Sequence, residues 1–288
     1  MDSLTIQSTG NVCSYGASNT AKIDPTKKFC DGLVLKIFSY FNFANLGNCC
    51  SVSKAWNRLA KDPTLWKIAI HRELAFGNAQ WAQCFGPDVV KDEDNWEEYS
   101  SLPLEEFIAD CRKFTKLFPG RSAKDSLMLV RLPRTLHGGL TLKSLGELAR
   151  KYFPKSSTGY RFIWSPVMQE QGDKSIDRSR WVVMTRDILP GTRGRSYAEQ
   201  QRMIADLASE SLNGYGVPGI LKATACIFSQ YFGSSKRLFS DDPRTYIRCV
   251  EEVKGLQIVV GDFAPAGLDV IDEAHIEDYT GVAVMREF

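Results

Sequence analysis

The stretch FCDGLVLKIFSYFNFANLGNCCSVSKAWNRLAKDPTLWK, residues 29–67, decides how the first part of this 288-residue chain folds. Its opening segment places five apolar residues at positions i, i+1, i+4, i+5 and i+8, namely Leu33, Val34, Ile37, Phe38 and Phe41. This spacing puts their side chains on one face of a helix. The stretch is therefore predicted to begin with a short amphipathic helix.

A second apolar stripe follows a brief connection over residues 42–48. Its members recur at helical spacing and predict another helix: Cys49, Val52, Trp56, Leu59 and Ala60. Pro63 disfavours helical geometry at Asp62, so this helix is expected to stop near Lys61 and a further helical segment to open at Pro63. Residues 29–74 thus hold short helices with more large apolar side chains than so small a unit can bury alone.

The ordered pattern LVLKIFSYF, then Leu46, then VSKAWNRLAKDPTLWK resembles the F-box. This short helical module docks a substrate receptor onto the Skp-family adaptor of a cullin-RING ubiquitin ligase. The resemblance runs from residue 29 to about residue 67. It implies that nine residues supply the adaptor contact and the small core of the module, without dividing the two roles: Leu33, Val34, Ile37, Phe38, Phe41, Leu46, Val52, Trp56 and Leu59.

Two features of the sequence depart from the F-box pattern. The usual Leu-Pro opening is Phe29-Cys30 here, and the acidic residue two places later is Gly32. Proline is pre-set for the first turn of a helix, and an acidic side chain is favourable near a helix N-terminus. We therefore expect adaptor binding to be weaker than that of a consensus module.

Other interpretations of the same helices stay open. Apolar stripes at helical spacing are more often core than interface, so the helices could form a subdomain that only packs on the rest of the chain. A structural protein whose helices mediate self-association is a further alternative. An F-box is found in eukaryotic cytosol and also in effectors that intracellular bacteria deliver into host cells, so both sources are open. Either source predicts a cytoplasmic protein, in the host cytosol for an effector.

Charge and composition narrow the classes of partner. Thirty-six basic and thirty-four acidic residues give a formal charge of +2, which offers no electrostatic basis for binding nucleic acid. The longest apolar run, residues 217–232, is shorter than a bilayer span and contains Lys222, so no membrane segment is expected. Residues 1–28 are polar, contain no apolar core of a secretory signal, and are expected to form a disordered tail.

The eight cysteines do not indicate a metal or redox centre. They include no C-x-x-C pair and no Cys/His cluster, so the sequence predicts no zinc site and no other metal or cofactor. The neighbours Cys49 and Cys50 point about 100° apart on a helix. Without a secretory signal, reduced thiols are the expectation.

The remainder of the chain is predicted to be a connector, residues 75–100, followed by an α+β target- or ligand-binding domain, residues 101–288. Periodicity and turn residues predict strands within 126–133, 180–185, 256–263, 267–272 and 281–288, and helices within 101–117, 141–154, 196–212 and 219–232. Ser196 and Glu199 stand at capping-box spacing. The apolar helix within 219–232 is expected to be central and buried, and the fold class is α+β with a small helical module in front.

No catalytic constellation is predicted from this domain. The HGG at residues 137–139 resembles an esterase oxyanion loop, but no G-x-S-x-G supplies a nucleophile. The loop 190–196 lacks the end of a P-loop, and Asp241-Asp242-Pro243 fits a turn or cap better than a metal site. Cys226 and His275 could form a thiol pair, although a buried structural cysteine fits the helix better. We interpret the chain as a non-enzymatic adaptor; the alternative is an enzyme of unknown reaction that carries an F-box-like recruitment arm.

Overall fold

A computed structural model describes residues 29–91, 103–210, 212–274 and 277–288 of the chain. The tail predicted at residues 1–28, part of the predicted connector and His275 lie outside these ranges. The helices are α1 Asp31–Phe38, α2 Phe43–Val52, α3 Lys54–Ala60, α4 Pro63–Glu73, α5 Asn78–Phe85, α6 Leu104–Leu117, α7 Ala123–Ser126, α8 Leu142–Ala149, α9 Ser165–Gln171, α10 Tyr197–Glu210 and α11 Ile220–Ser234.

The strands fall into two sheets. The strands are β1 Ala75–Phe76, β2 Leu127–Leu132, β3 Phe162–Ile163, β4 Arg180–Thr185, β5 Tyr246–Val253, β6 Leu256–Ala264, β7 Gly267–Asp272, β8 Thr280–Gly281 and β9 Met285–Glu287. The first sheet has the order β1-β2-β4-β9 and the second the order β3-β7-β6-β5-β8. Short helices at the N-terminus followed by mixed sheets and helices confirm the predicted α+β class.

The central helix α11 lies between the two sheets. It contacts β2 of the first sheet and β5 and β6 of the second. Cys226 and Phe228 of α11 are fully buried in a core that also takes Val130 from β2 and Val260 from β6. A sheet covers the helix on two sides, and a helix in such a place is apolar on almost every side. This confirms the prediction of a central buried helix.

Strand β2 is buried on both of its faces. Met128 and Val130 point into the core around α11, whereas Leu127 and Leu129 join a second core with residues of α6 such as Phe107. Successive side chains of a strand point to opposite faces of a sheet, so a strand between two apolar layers reads as a continuous apolar run. This explains the apolar run Leu127–Val130, within the segment that predicted β2.

The segment predicted as a connector is part of the packed fold over its described residues. β1 pairs in parallel with β2, and Trp81 of α5 is fully buried. The indole Nε1 of Trp81 donates to the backbone carbonyl of Arg131 over 3.0 Å, and its ring meets Phe76 edge-on with centroids 4.9 Å apart. The aromatic side chains of residues 76–85 supply buried area that a connector would leave in water.

The second helix of the N-terminal module also differs from its prediction. Residues 43–48, expected to be a connection, belong to α2, and the predicted stripe is divided between α2 and α3 at Ser53. The Ser53 side chain accepts a hydrogen bond from the backbone N–H of Trp56 and starts α3. An N-cap serine has extended backbone geometry, so it interrupts a helical pattern that continues through it in the sequence.

Candidate functional site

The four helices α1–α4 form a module with its own small core. Val34 and Phe38 of α1 are each 1 % exposed, and Leu46 of α2 and Leu59 of α3 are buried with them. The ring of Phe38 lies 5.0 Å, centroid to centroid, from the ring of Trp56. These residues hold α1, α2 and α3 together as one unit.

Short polar side chains fix where the helices of the module begin. Asn42 accepts a hydrogen bond from the backbone N–H of Asn45 over 2.7 Å at the start of α2. Asp62 accepts from the backbone N–H of Thr64 over 2.8 Å at the start of α4, where Pro63 is the first helical residue. Each cap satisfies a backbone donor that the first turn leaves free. The prediction that a helix opens at Pro63 is confirmed.

Two arginines tie α1 to the rest of the module. The Arg58 guanidinium lies 2.7 Å from the Asp31 carboxylate, which joins α3 to the first turn of α1. Arg72 of α4 donates to the backbone carbonyl of Phe41 over 2.6 Å and to that of Ser39 over 3.2 Å. The position of α1, and of the residues on its outer face, is therefore set from both ends.

The outer face of the module is apolar and exposed. Leu33 is 44 % exposed, Ile37 is 38 % exposed and Val52 is 59 % exposed. Phe29 and Tyr40 are also exposed large apolar residues. Of the nine exposed large hydrophobic residues of the described chain, five lie within residues 29–52. A concentration of exposed apolar side chains marks a surface that another molecule covers.

The structure divides the nine residues that the F-box resemblance implied. Their burial separates them into an inner group, Val34, Phe38, Leu46 and Leu59, a half-buried pair, Phe41 and Trp56, and an outer group, Leu33, Ile37 and Val52. The sequence places Val52 in one apolar stripe with Cys49, and the structure separates the two: Cys49 is buried, whereas Val52, the last residue of α2, is exposed.

Two residues of the outer face were missed at the level of sequence. Phe29, Leu33, Ile37 and Tyr40 are spaced by four, four and three positions, which is a helical stripe in its own right. This stripe lies beside the one that Val34 and Phe38 define, and it is the signal in the sequence that indicates the outer face. The two stripes overlap in the sequence, so they are hard to tell apart without the structure.

The two departures from the F-box pattern lie at the start of α1. Cys30 is the N-cap residue and makes no side-chain hydrogen bond there. The acidic residue of the first turn is Asp31, which pairs with Arg58 as described. The F-box pattern has its acidic residue at position 32, whereas here the acidic residue is Asp31, one position earlier. The first turn of α1 therefore keeps an anionic side chain.

Comparison with protein families identifies the module. Residues 31–69 match the model of the family described as F-box-like. The chain contains an F-box-like domain. This match covers α1–α3 and the first part of α4, and the F-box-like domain therefore includes the inner core and, apart from Phe29, the exposed outer residues. Searches of curated proteins and of solved structures returned no match.

The structure shows where each sequence candidate for chemistry lies. Cys226 is fully buried and its burial raises the pKa of the thiol, which disfavours the reactive thiolate. The His137 imidazole is exposed, with Nε2 lying 3.0 Å from the Glu147 carboxylate. Arg193 of the glycine-rich loop donates to the hydroxyl of Thr245 over 2.8 Å and ties the loop to the residue before β5. Asp241 and Asp242 lie in a turn.

The cysteines of the F-box-like domain serve packing. Cys49 is buried in its core, and burial, followed by the neighbouring Cys50, raises the pKa of the Cys49 thiol. Within the described ranges, no three His, Cys, Asp or Glu side chains are grouped so that they could hold a metal ion. In the same part of the chain, no helix combines the length and apolar character needed to cross a bilayer.

Proposed function

We propose that the chain is a substrate receptor that docks through its F-box-like domain onto a Skp-family adaptor and so joins a cullin-RING ubiquitin ligase. The exposed apolar side chains of Leu33, Ile37 and Val52 carry this proposal. These three residues contribute little to the core of the domain, so their apolar character is accounted for by a partner that removes them from water. Phe29 and Tyr40 extend the same contact.

The inner group acts indirectly in this proposal. Val34, Phe38, Leu46 and Leu59 hold the helices that carry the outer group, and Phe41 and Trp56 complete the packing around Phe38. A change in the inner group therefore affects docking and folding together. A change in the outer group affects docking alone, because interface residues that are exposed in the free protein cost little stability when truncated.

The α+β region is proposed to present the target. It contains the large cores and both sheets, and α4 fixes it to the F-box-like domain, since Ile70 of α4 belongs to the core that includes Trp181 of β4. A rigid attachment of this kind holds a bound target at a defined distance from the ligase. The proposed role is thus non-catalytic, and ubiquitin transfer belongs to the ligase.

Docking is tested by titrating the full chain into a recombinant Skp-family adaptor and measuring the heat of binding. We expect Leu33→Asp/Ile37→Asp to weaken binding by at least about a hundredfold, since a charge in an apolar contact is costly. The matched control is Val250→Asp, an exposed valine of β5 outside the domain, which should leave the affinity unchanged.

Two outcomes would contradict the proposal. The first is the absence of binding by the unchanged chain. The second is a chain that sediments as a dimer without any adaptor and becomes monomeric with Leu33→Asp/Ile37→Asp, because the outer face would then serve self-association. Circular dichroism of each variant separates a lost contact from a lost fold.

A further inference from the structure

An apolar groove lies where the F-box-like domain meets the α+β region. Trp66 and Ile70 of α4 form one wall and Phe107 and Ile108 of α6 form the other, around a cavity of about 660 Å³. The Trp66 indole donates from Nε1 to the backbone carbonyl of Ala60 over 2.7 Å, so this wall is held in place. The groove is separate from the outer face of α1 that the proposed adaptor contact uses.

The charges around the groove are mostly cationic. Lys61 and Arg112 line it together with a single carboxylate, that of Glu105. Arg112 also lines an adjoining hollow of about 280 Å³, whose other charged residues are Lys113 and Lys116. Lys113 is engaged with the buried Asp110 over 3.5 Å, while Lys61, Arg112 and Lys116 are exposed.

The apolar and cationic parts follow one line along α6. Ile108, Arg112 and Lys116 are four residues apart, and residues at this spacing lie above one another on a helix, separated by about 6 Å for each step. The line leads from the apolar cavity at Ile108 into the cationic hollow at Lys116. A complementary ligand therefore has apolar groups at one end and negative charges distributed over about 6 Å or more at the other.

We propose that this groove binds a short segment of a target protein in which large apolar side chains are followed by acidic ones. A single carboxylate, as on a fatty acid, reaches one cation and leaves the other cation of the line unmatched. A peptide with several Asp or Glu residues matches Arg112 and Lys116 together and adds apolar anchors for the cavity. The role of the bound protein as a ubiquitylation target rests on the proposed function, whereas the binding itself does not.

The segment is sought with a phage-displayed library of random peptides, selected on the full chain and counter-selected on the full chain carrying Ile108→Glu. We expect the enriched peptides to carry large apolar residues followed by Asp or Glu. Fluorescence anisotropy of a labelled enriched peptide should then show affinity that falls with rising salt, as charge pairs at a surface require.

Charge reversal supplies the decisive variants. Arg112→Glu/Lys116→Glu should weaken the enriched peptide by at least about tenfold. Arg150→Glu/Lys155→Glu makes the same change of net charge at exposed positions outside the groove and should change the affinity by less than about twofold. Both chains should bind the Skp-family adaptor equally well, so a failure here is distinguished from a failure of docking.

Several results would overturn the proposal. They are the absence of any enriched peptide, the enrichment of neutral or basic peptides, and unchanged affinity after Arg112→Glu/Lys116→Glu. In a further variant, Asn and Gln replace the acidic residues within 92–98. If this variant binds the peptide more tightly, the groove belongs to that segment of the chain itself. A dimer that only groove variants dissociate would assign it to a second copy. If Ile108→Glu unfolds the chain, the charge-reversal pair, whose side chains are exposed, decides alone.

Discussion

The helices α1 and α11 are both rich in large apolar residues but differ in what surrounds them. Helix α11 has a sheet on two sides, and Ile220, Ile227 and Phe232 are all buried. Helix α1 has neighbours on one side only, so Val34 is buried while Leu33, the residue before it, is exposed. Apolar residues on a helix therefore indicate core or interface according to the layers that the rest of the fold brings against them.

Two helical glycines, one from each region, show the same difference. In α2, a Cβ added at Gly47 would meet no described atom within 4 Å outside its chain neighbours and its own helix backbone. In α8, a Cβ added at Gly146 would lie 2.2 Å from the backbone carbonyl oxygen of Thr158 and 2.9 Å from the ring of Tyr160. Glycine is thus an avoidable weakness at position 47 and a packing requirement at position 146.

The largest contrast should come from truncating one apolar residue in each helix. Phe228→Ala leaves a cavity among the rings of Phe232, Tyr160 and Phe263, and we expect it to lower the free energy of unfolding by about 3–5 kcal/mol. Leu33→Ala should change that free energy by less than about 0.5 kcal/mol. Urea denaturation followed by circular dichroism measures both, and comparable losses would contradict the division into core and outer face.

A smaller loss of stability is expected at Gly146, where the backbone of Thr158 approaches α8 closely. Gly146→Ala forces α8 away from the segment of Thr158 and Tyr160, and overpacking of this kind costs about 1–3 kcal/mol. The Tyr160 hydroxyl donates to the backbone carbonyl of Leu142 over 2.8 Å, so displacement also strains a buried hydrogen bond. Differential scanning calorimetry should show a lower Tm; an unchanged or higher Tm would show that α8 moves without cost.

The opposite sign is expected in the F-box-like domain. Gly47→Ala should stabilise α2 by about 1 kcal/mol, because alanine loses less backbone entropy than glycine on entering a helix and finds open space at this position. Amide hydrogen exchange across residues 43–52 should slow by about fivefold. Faster exchange would mean that the added methyl group meets something the helix cannot accommodate.

The subtlest effect concerns pH and is confined to the α+β region. Burial raises the pKa of the Glu251 carboxyl above its ordinary 4.5, and Glu251 accepts the backbone N–H of Ile220 at the start of α11 over 2.8 Å. The pKa of Glu251 is higher in the folded chain than in the unfolded one, so the protonated carboxyl favours folding. Its contribution to stability is fully present below pH 4.5 and is lost as the pH rises through the raised pKa.

Glu251→Gln keeps an acceptor for α11 and removes the titration. Urea midpoints measured from pH 4 to pH 8 should therefore fall less steeply with rising pH in the variant than in the unchanged chain. Identical slopes in the two proteins would show that burial of Glu251 does not couple its protonation to folding.

The strand β5 marks a limit of sequence reasoning within the α+β region. It lies between β6 and β8 in the second sheet and is not predicted from the sequence, because Arg248 and Glu252 interrupt its apolar pattern. Arg248 is buried, and its guanidinium donates to the Gln200 side chain over 2.5 Å and pairs with Glu273. Partners distant in the sequence compensate the charge, and no local pattern reveals them.

The sequence by itself determined the F-box-like domain, the α+β class, the capping of α10 by Ser196 and Glu199, and the buried character of β2 and α11. These follow from spacing and from caps, which are local. The tertiary structure decided that Leu33 and Ile37 face outward and that residues 75–91 join the packed fold. It also decided that α4 and α6 enclose a groove with a cationic end. Burial depends on which surfaces meet, and the contacts that bring surfaces together join residues far apart in the chain.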